Sequence, residues 1–494
     1  MSFILAFDVG TTAVKAVLVE RQTGKMQSAK ADCRLIQPNP GWAEQDAEEM
    51  WQAVCLAAKR CLCQNQAAAG QVEGIALSAP WRHAILLDEN GNPLRNSVIW
   101  MDGRAGKQAA QLNERMGRYV DHAQGYWPRL MWLKENDPIL WKKAKYILGI
   151  NDYFKFRATG TISTECSDDQ IRSPNKKLQA LYDQILHAAG LEEDLDKFPV
   201  SKKCTDCVGQ LTQEAAEAMG LQPGIPVFGG FGDLPAVYLG SGCLEKGTAH
   251  IYLGTSSWFG ELLPDQIEGY SRAYFTADEN YQGALFGLTT GGRAYDWILH
   301  QFYEQEQKSM GDTVFAKVDA DMAEVPPGCN GLIVTHWLNG EPPPLAKNAK
   351  ALFFNVTEQH DRRHFVRAML ESICYSHRRS LEKYVALHGE PPKRLYVVGG
   401  GAISKVWMQM LADILKVPVY VPENPRYVGT KGVYYCALIG LGIEKDFSAL
   451  SNESNCRCYL PNKENEAVYD KMYGAYQNLY PALKDVYDKV NGRF

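Results

Sequence analysis

Apolar residues run as a short block over residues 3–7, the turn Asp8-Val9-Gly10-Thr11-Thr12 follows, and residues 14–19 alternate with period two. This pattern predicts a β-hairpin turned on glycine. Apolar positions fall at helical spacing over 47–64. Residues 74–78 and 84–88 then read as strands, the second closed by Asn90-Gly91-Asn92-Pro93. Further on, 226–230 is a strand entering a glycine-rich turn, and 250–253 and 285–288 are strand-like. The spacing predicts a long helix over 365–387, a buried strand at 394–398, a helix at 406–415, a strand at 417–421 and then a glycine break at Gly429-Thr430-Lys431-Gly432. A tyrosine-rich helical pattern over 467–486 packs across the body. Strands and helices mix in both halves, so the fold class is α/β. Each half opens with a strand and a Gly-Thr turn (Gly10-Thr11 and Gly254-Thr255), which points to internal duplication.

A chain of 494 residues exceeds what one hydrophobic core supports, so two domains are expected. With 46% hydrophobic and 22% charged residues, composition suits a fully folded globular protein. The net charge is −5 and the basic residues are scattered, which argues against nucleic-acid or acidic-membrane partners. The N-terminal segment lacks a basic n-region, no apolar stretch is long enough to span a bilayer, and 13 cysteines stand in no framework spacing. A cytoplasmic location is the expectation. Cys204-x-x-Cys207 has no second pair at ligand spacing, so free thiols are expected over a zinc site.

Triphosphates need many donors close to their oxygens, so glycine and hydroxyl residues gather where phosphates sit. Asp8-x-Gly10-Thr11-Thr12 has that make-up. A carboxylate beside phosphates repels them unless a divalent cation intervenes, so Asp8 is the candidate for positioning Mg2+, and Lys15 could add positive charge at the transferring group. A merely structural tight turn is the alternative. Gly254-Thr255-Ser256 could grip phosphates from another side, and Gly399-Gly400-Gly401, with Ala402 and Ser404 behind it, could admit a flat base against backbone. The triple glycine lacks the spaced third glycine of a dinucleotide fingerprint, and no GxxxxGK motif occurs.

Taken in order, these segments resemble the FGGY family of sugar kinases, nearly end to end. The family's DxGTT hairpin is matched by residues 8–15, its acidic stretch by Gly41-Trp42-Ala43-Glu44-Gln45-Asp46, and its WxDxR loop by Trp100-Met101-Asp102-Gly103-Arg104. Asn151-Asp152-Tyr153, Thr159-Gly160 and residues 164–169 are similar to its next segment. Gly229-Gly230-Phe231-Gly232-Asp233 resembles its GGGD turn. Residues 351–371, Gly399-Gly400-Gly401-Ala402, Trp407, Ala412-Asp413 and Gly429-Thr430-Lys431-Gly432 continue the resemblance, with Asn355 standing where the family has glycine.

The resemblance implies two ribonuclease-H-like domains of the actin, hexokinase and Hsp70 type with ATP in an interdomain cleft. Residues 1–243 would hold sugar, first phosphate hairpin and base, and 244–494 would hold ATP and the helical tail. It implies Mg-ATP-dependent phosphorylation of a small sugar or polyol, with a ketopentose such as xylulose expected first, and Asp233 as catalytic base. ATP would be held by Asp8, Gly10, Thr11, Thr12, Lys15, Gly254, Thr255, Gly400, Gly401, Ala402 and Ser404. Nucleic acid and membrane are not expected as partners; a homodimer is allowed.

The sugar-contacting loop departs from the family. Where xylulose kinases carry SGQMH, this chain has Ser78-Ala79-Pro80-Trp81-Arg82-His83, and the residue after the base is Leu234 in place of Asn or Gln. Arg82 could pair with an acidic sugar or bridge Asp102. Trp81 could stack on a sugar face or be core. Asp102 is a candidate hydroxyl contact or a structural one. Substrate identity therefore does not carry over, because one buried hydrogen-bond partner discriminates by kilocalories. Kinases for another ketose, polyol or sugar acid, or a member that binds without turnover, are the alternatives.

Overall fold

In the computed structural model, which describes all residues except 65–68, 168–170, 173–175, 265–270, 275–276, 278–279, 342–347, 451–454 and 493–494, the chain divides into two units. One comprises Met1–Gly240 with Gly429–Leu450, the other Ser241–Val428 with Ser451–Phe494.

The first unit is built on one mixed sheet. Strand Phe3–Val9 pairs antiparallel with Ala13–Glu20, which pairs antiparallel with Met26–Asp32. On its other side Phe3–Val9 runs parallel to Val72–Ala79, next to which lies Pro226–Phe228, with Cys207–Gln210 as an antiparallel edge. Phe3–Val9 is buried on both faces, as its unbroken apolar run requires. The crossover to Val72–Ala79 is the helix Ala47–Cys63. Asp46 caps it by accepting from the amides of Glu48 and Glu49 at 2.8 and 3.1 Å. The face carrying Met50, Trp51, Val54, Ala58 and Leu62 packs on the sheet.

The second unit repeats the plan. Thr248–Leu253, Ser257–Leu263 and Gln282–Leu288 form the antiparallel set, and Arg394–Val398 and Val419–Pro422 run parallel to Thr248–Leu253. Cys456–Tyr459 is the antiparallel edge. The duplication hinted at by the two Gly-Thr turns is thus present in the strand order. The helix Arg362–His388 supplies its crossover, capped by Asp361 and ended by Gly389. The tail helix Glu466–Asn491 docks through tyrosines: Tyr476 OH accepts from Trp337 Nε1 at 3.1 Å, and Tyr469 OH from Arg367 Nη2 at 3.0 Å.

The strand expected over 84–88 is present as Ile85–Leu87, which pairs with Tyr146–Leu148 outside the main sheet. Two expectations change. The glycine break at 429–432 is the first turn of a helix, Val428–Gly440. Its glycines permit close approach: a Cβ at Gly432 would stand 2.6 Å from the Ala236 carbonyl oxygen. Gly429–Leu450 therefore belongs with the first unit, and the division falls after Gly240, where a single boundary at 243/244 was expected. Among the described residues, no helix is long and apolar enough to cross a membrane.

Candidate active site

In the first unit, three strands running the same way end side by side, an arrangement that gathers functional groups in open α/β sheets. Asp8 is in register with Ser78, and Phe231 and Gly232 pair with Ser78 and Ala79. Asp8, Ser78 and Asp233 are thereby collected at one edge. Lys15 lies opposite Asp8 in the hairpin, its Nζ 3.4 Å from Asp8 Oδ2, and Ser78 Oγ donates to Asp8 Oδ1 at 3.5 Å. The helix Val428–Gly440 starts here too, a Cβ at Gly429 falling 3.7 Å from Ser78 Oγ and 3.9 Å from Asp8 Oδ1. The hairpin turn is braced from outside. Gly10 N–H donates to the Ala13 carbonyl at 2.8 Å, Thr11 Oγ1 accepts from Trp100 Nε1 at 3.0 Å, and the Thr11 carbonyl accepts from Gln45 Nε2 at 2.8 Å. Thr12 is exposed.

Asp233 begins the helix Asp233–Ser241, and its Oδ1 accepts from the Leu234 amide at 2.9 Å. Burial pushes its carboxyl up to about 6, and the neighbouring charge of Asp8 adds to the rise. The turn before it is clamped: the Gly229 carbonyl accepts from Lys155 Nζ at 3.1 Å and Asn151 Nδ2 at 3.3 Å, and the Gly230 amide donates to the Cys204 carbonyl at 2.9 Å. Asn151 belongs to Asn151-Asp152-Tyr153, which precedes the stretch 164–169 in the family resemblance; positions 168 and 169 lie outside the described residues.

Trp81 is 38% exposed, and its Cδ1 would lie 3.9 Å from a Cβ on Gly232, so it walls the approach to Asp233 and is not core. Arg82 is buried with φ of 46°, a sparsely populated backbone state for a non-glycine residue. Its guanidinium carbon sits 4.7 Å from the Trp81 ring centre, 5.1 Å from that of Tyr126 and 5.6 Å from those of Trp127 and Tyr182, and Nη2 donates to Tyr182 OH at 2.9 Å.

Asp102 stands among protein donors. It is fully buried; Oδ2 accepts from the Ala43 amide at 2.5 Å and Arg104 Nη2 at 2.7 Å, and Oδ1 accepts from Arg104 N and Nε at 3.0 and 2.8 Å. Arg104 also donates to Glu44 Oε1 at 2.7 Å and lies 3.6 Å from the Trp42 ring centre. Asp102 thus anchors the loop through Arg104, not through Arg82, and both its oxygens are occupied by protein donors.

The second unit repeats the gathering of turns. Thr248–Leu253 and the parallel Arg394–Val398 end at Gly254-Thr255-Ser256 and Gly399-Gly400-Gly401. Gly399 has φ of 97°, and a Cβ there would lie 2.5 Å from the Leu253 carbonyl oxygen, so only glycine fits. Thr255, Ser256 and Gly400 are exposed and Ala402 is buried behind them. Ser404 caps the helix Lys405–Leu415 and donates to Asp319 Oδ1 at 2.6 Å. A third element arrives unforeseen: the N-terminus of the helix Gly292–Met310, where Gly291 N–H donates to the Thr255 carbonyl and Gly292 N–H to that of Gly254 at 2.7 Å. Glycine turns beside a helix N-terminus suit an anion. The signal was Thr289-Thr290-Gly291-Gly292, directly after a strand of which only the end was legible.

Residues 3–240 match the N-terminal domain of the FGGY family of carbohydrate kinases, and residues 249–441 match its C-terminal domain. Among curated relatives, a xylulose kinase of Bacillus subtilis is 28% identical over 98% of both chains, and an L-xylulose/3-keto-L-gulonate kinase of Escherichia coli is 27% identical over 98% of both. Among solved structures, ligand-bound xylulose kinase from Lactobacillus acidophilus superposes with a TM-score of 0.82 at 22% identity, covering 99% of this chain and 100% of the other. Plasmodium falciparum glycerol kinase with ADP gives 0.78 at 18%, covering 97% and 98%. The fold is accordingly the two-domain α/β fold of these kinases.

Proposed function

Because the chain belongs to the FGGY family of carbohydrate kinases, we propose that it transfers the terminal phosphoryl group of Mg-ATP to a hydroxyl of a ketopentose such as xylulose, with Asp233 as the base. The observation that carries the reading is the convergence of Asp8, Ser78 and Asp233 at the ends of three co-directional strands.

Phosphoryl transfer asks the protein for alignment and charge stabilisation more than for covalent chemistry. The ionised Asp233 orients the acceptor hydroxyl and takes its proton late in transfer. Trp81 and Arg82 line the sugar side. Gly254, Thr255, Gly400, Gly401, Ala402 and Ser404 are the nucleotide-holding residues of the second unit, and Gly10, Thr11, Thr12 and Lys15 the phosphate-binding candidates of the first. Mg2+, when bound, neutralises phosphate charge. Two mutually repelling carboxylates fit a divalent cation, and Asp8 would hold it. No cluster of three or more metal-ligating side chains occurs among the described residues.

A second reading has its own observation. Arg82 puts an arginine in the loop where the xylulose-kinase pattern SGQMH has none, which favours a sugar acid, and a Bacillus licheniformis gluconokinase is 27% identical over 99% of this chain and 98% of that enzyme. Coupled ADP detection across xylulose, ribulose, ketohexoses, glycerol and gluconate decides between them. Turnover of Asp233→Asn equal to that of the unmodified enzyme would remove the base assignment.

A further inference from the structure

We infer that Ser167, held by Glu165, is a positioning residue that fixes the peptide directly before Asp233 and so aims the catalytic carboxylate. The inference rests on the reading of Asp233 as the base.

Ser167 Oγ makes two contacts of opposite sense. It donates to Glu165 Oε1 at 2.7 Å and accepts from the Gly232 amide at 2.9 Å, while Glu165 Oε2 accepts from the Ser167 amide at 2.7 Å. Both carboxylate oxygens of Glu165 are thus spent on one residue. With the hydroxyl hydrogen committed to Glu165, a lone pair of Ser167 Oγ is left facing Gly232, and the hydrogen bond that reaches the turn is polarised by the acid behind it.

The assembly is deeply buried: Ser167 is 1% exposed and Glu165 0%. Lys155, itself fully buried, lies 3.0 Å from Asp152 Oδ1 and holds the Gly229 carbonyl; burial pushes the Glu165 carboxyl up to about 7, and the Lys155 charge opposes that rise. Thr164 Oγ1 donates to Asp152 Oδ2 at 2.9 Å. A buried carboxylate, a buried ammonium and a hydroxyl thus converge on a five-residue turn. Most turn contacts go to Gly229, Gly230 and Phe231, which ordinary anchoring of a loop would explain. Ser167 alone among these side chains reaches Gly232, one peptide from the base. Removing it leaves a buried amide unpaired and frees the rotation that carries the Asp233 side chain.

A displacement of about 1 Å at a reacting group costs on the order of a hundredfold in rate. Ser167→Ala is therefore expected to lower kcat by roughly 10- to 100-fold, with KM for sugar and affinity for adenylyl imidodiphosphate little changed. Glu165→Ala should reproduce the loss, and Glu165→Gln, which still accepts from Ser167, should restore most of it. The decisive measurement is the double variant. If Ser167 acts through Asp233, then Ser167→Ala placed on Asp233→Asn lowers the residual turnover no further. A full additional loss in that background, or a kcat for Ser167→Ala within twofold of the unmodified enzyme, overturns the inference. Should Ser167→Ala not fold, the two Glu165 variants carry the same comparison. An Asp233→Asn enzyme with normal turnover would instead sink the base assignment itself, whatever Ser167 does.

Discussion

Asp8 and Asp233 lie at the ends of two strands that flank Val72–Ala79 in one sheet, close enough for the charge of Asp8 to push the Asp233 carboxyl toward protonation. Burial does most of this work, leaving the group at about 6. A base must be ionised to accept a proton, so kcat/KM is expected to fall as pH drops through about 6. Asp8→Asn removes the repulsion, and the acid limb should move to lower pH even though the maximal rate also falls. A profile measured at subsaturating sugar reads the position of the limb, not its height; a limb that stays put or moves upward contradicts the pairing.

The Asp102–Arg104 pair gives a stability prediction. Removing Asp102 leaves the Ala43 amide and buried Arg104 donors without their acceptor, although Glu44 still pairs with Arg104, at a cost of about 1–3 kcal/mol per unpaired group. Asp102→Ala should lose stability on that scale in urea unfolding. If Asp102 touched the sugar instead, the variant would keep its unfolding midpoint and show a raised sugar KM.

Neighbouring glycines should respond differently to the same change. Gly399→Ala forces a Cβ to within 2.5 Å of a backbone oxygen at positive φ, costing of order 1–3 kcal/mol or more. At Gly400 an added Cβ meets nothing within 4 Å. Gly400→Ala should therefore retain its Tm while weakening nucleotide binding, measured by titration with ADP. Equal Tm losses in the two variants would contradict this account.

His83 ties stability to acid. Its ring is fully buried with neither nitrogen hydrogen-bonded among the described residues, and burial, then the nearby Arg129 charge, holds its pKa down at about 3. The unfolded chain binds a proton at this ring below its ordinary value near 6.5; the folded chain does not until about 3. Stability thus falls as pH drops through that window, and His83→Leu should flatten the slope of unfolding free energy against pH by about one proton. An unchanged slope between pH 4.5 and 6 would refute it.

The two Gly-Thr turns and the Gly-Gly-Phe-Gly-Asp turn were legible in sequence because hairpins and strand ends impose local residue choices on glycine and hydroxyl positions. Asp102 was not: an acid two residues before an arginine fits equally a sugar ligand and a loop brace, and only the burial of both decides. Arg82 was half legible, its charge being visible and its aromatic enclosure by Tyr126, Trp127 and Tyr182 requiring the fold. Glycines 429 and 432 misled, since glycine marks both a chain reversal and a tight helix contact. Ser167 drew no notice because a hydroxyl acquires its role from the distant peptide it meets.

The return of Gly429–Leu450 to the first unit has a consequence for biogenesis. A ribosome that has released 240 residues has not yet delivered the helix Val428–Gly440, against which Ala236 and Phe228 pack. The first unit therefore stays unfinished through most of translation, its apolar seam exposed and in need of shelter. A gene fragment ending at position 240 should yield aggregating material that a separately supplied 429–450 peptide can rescue.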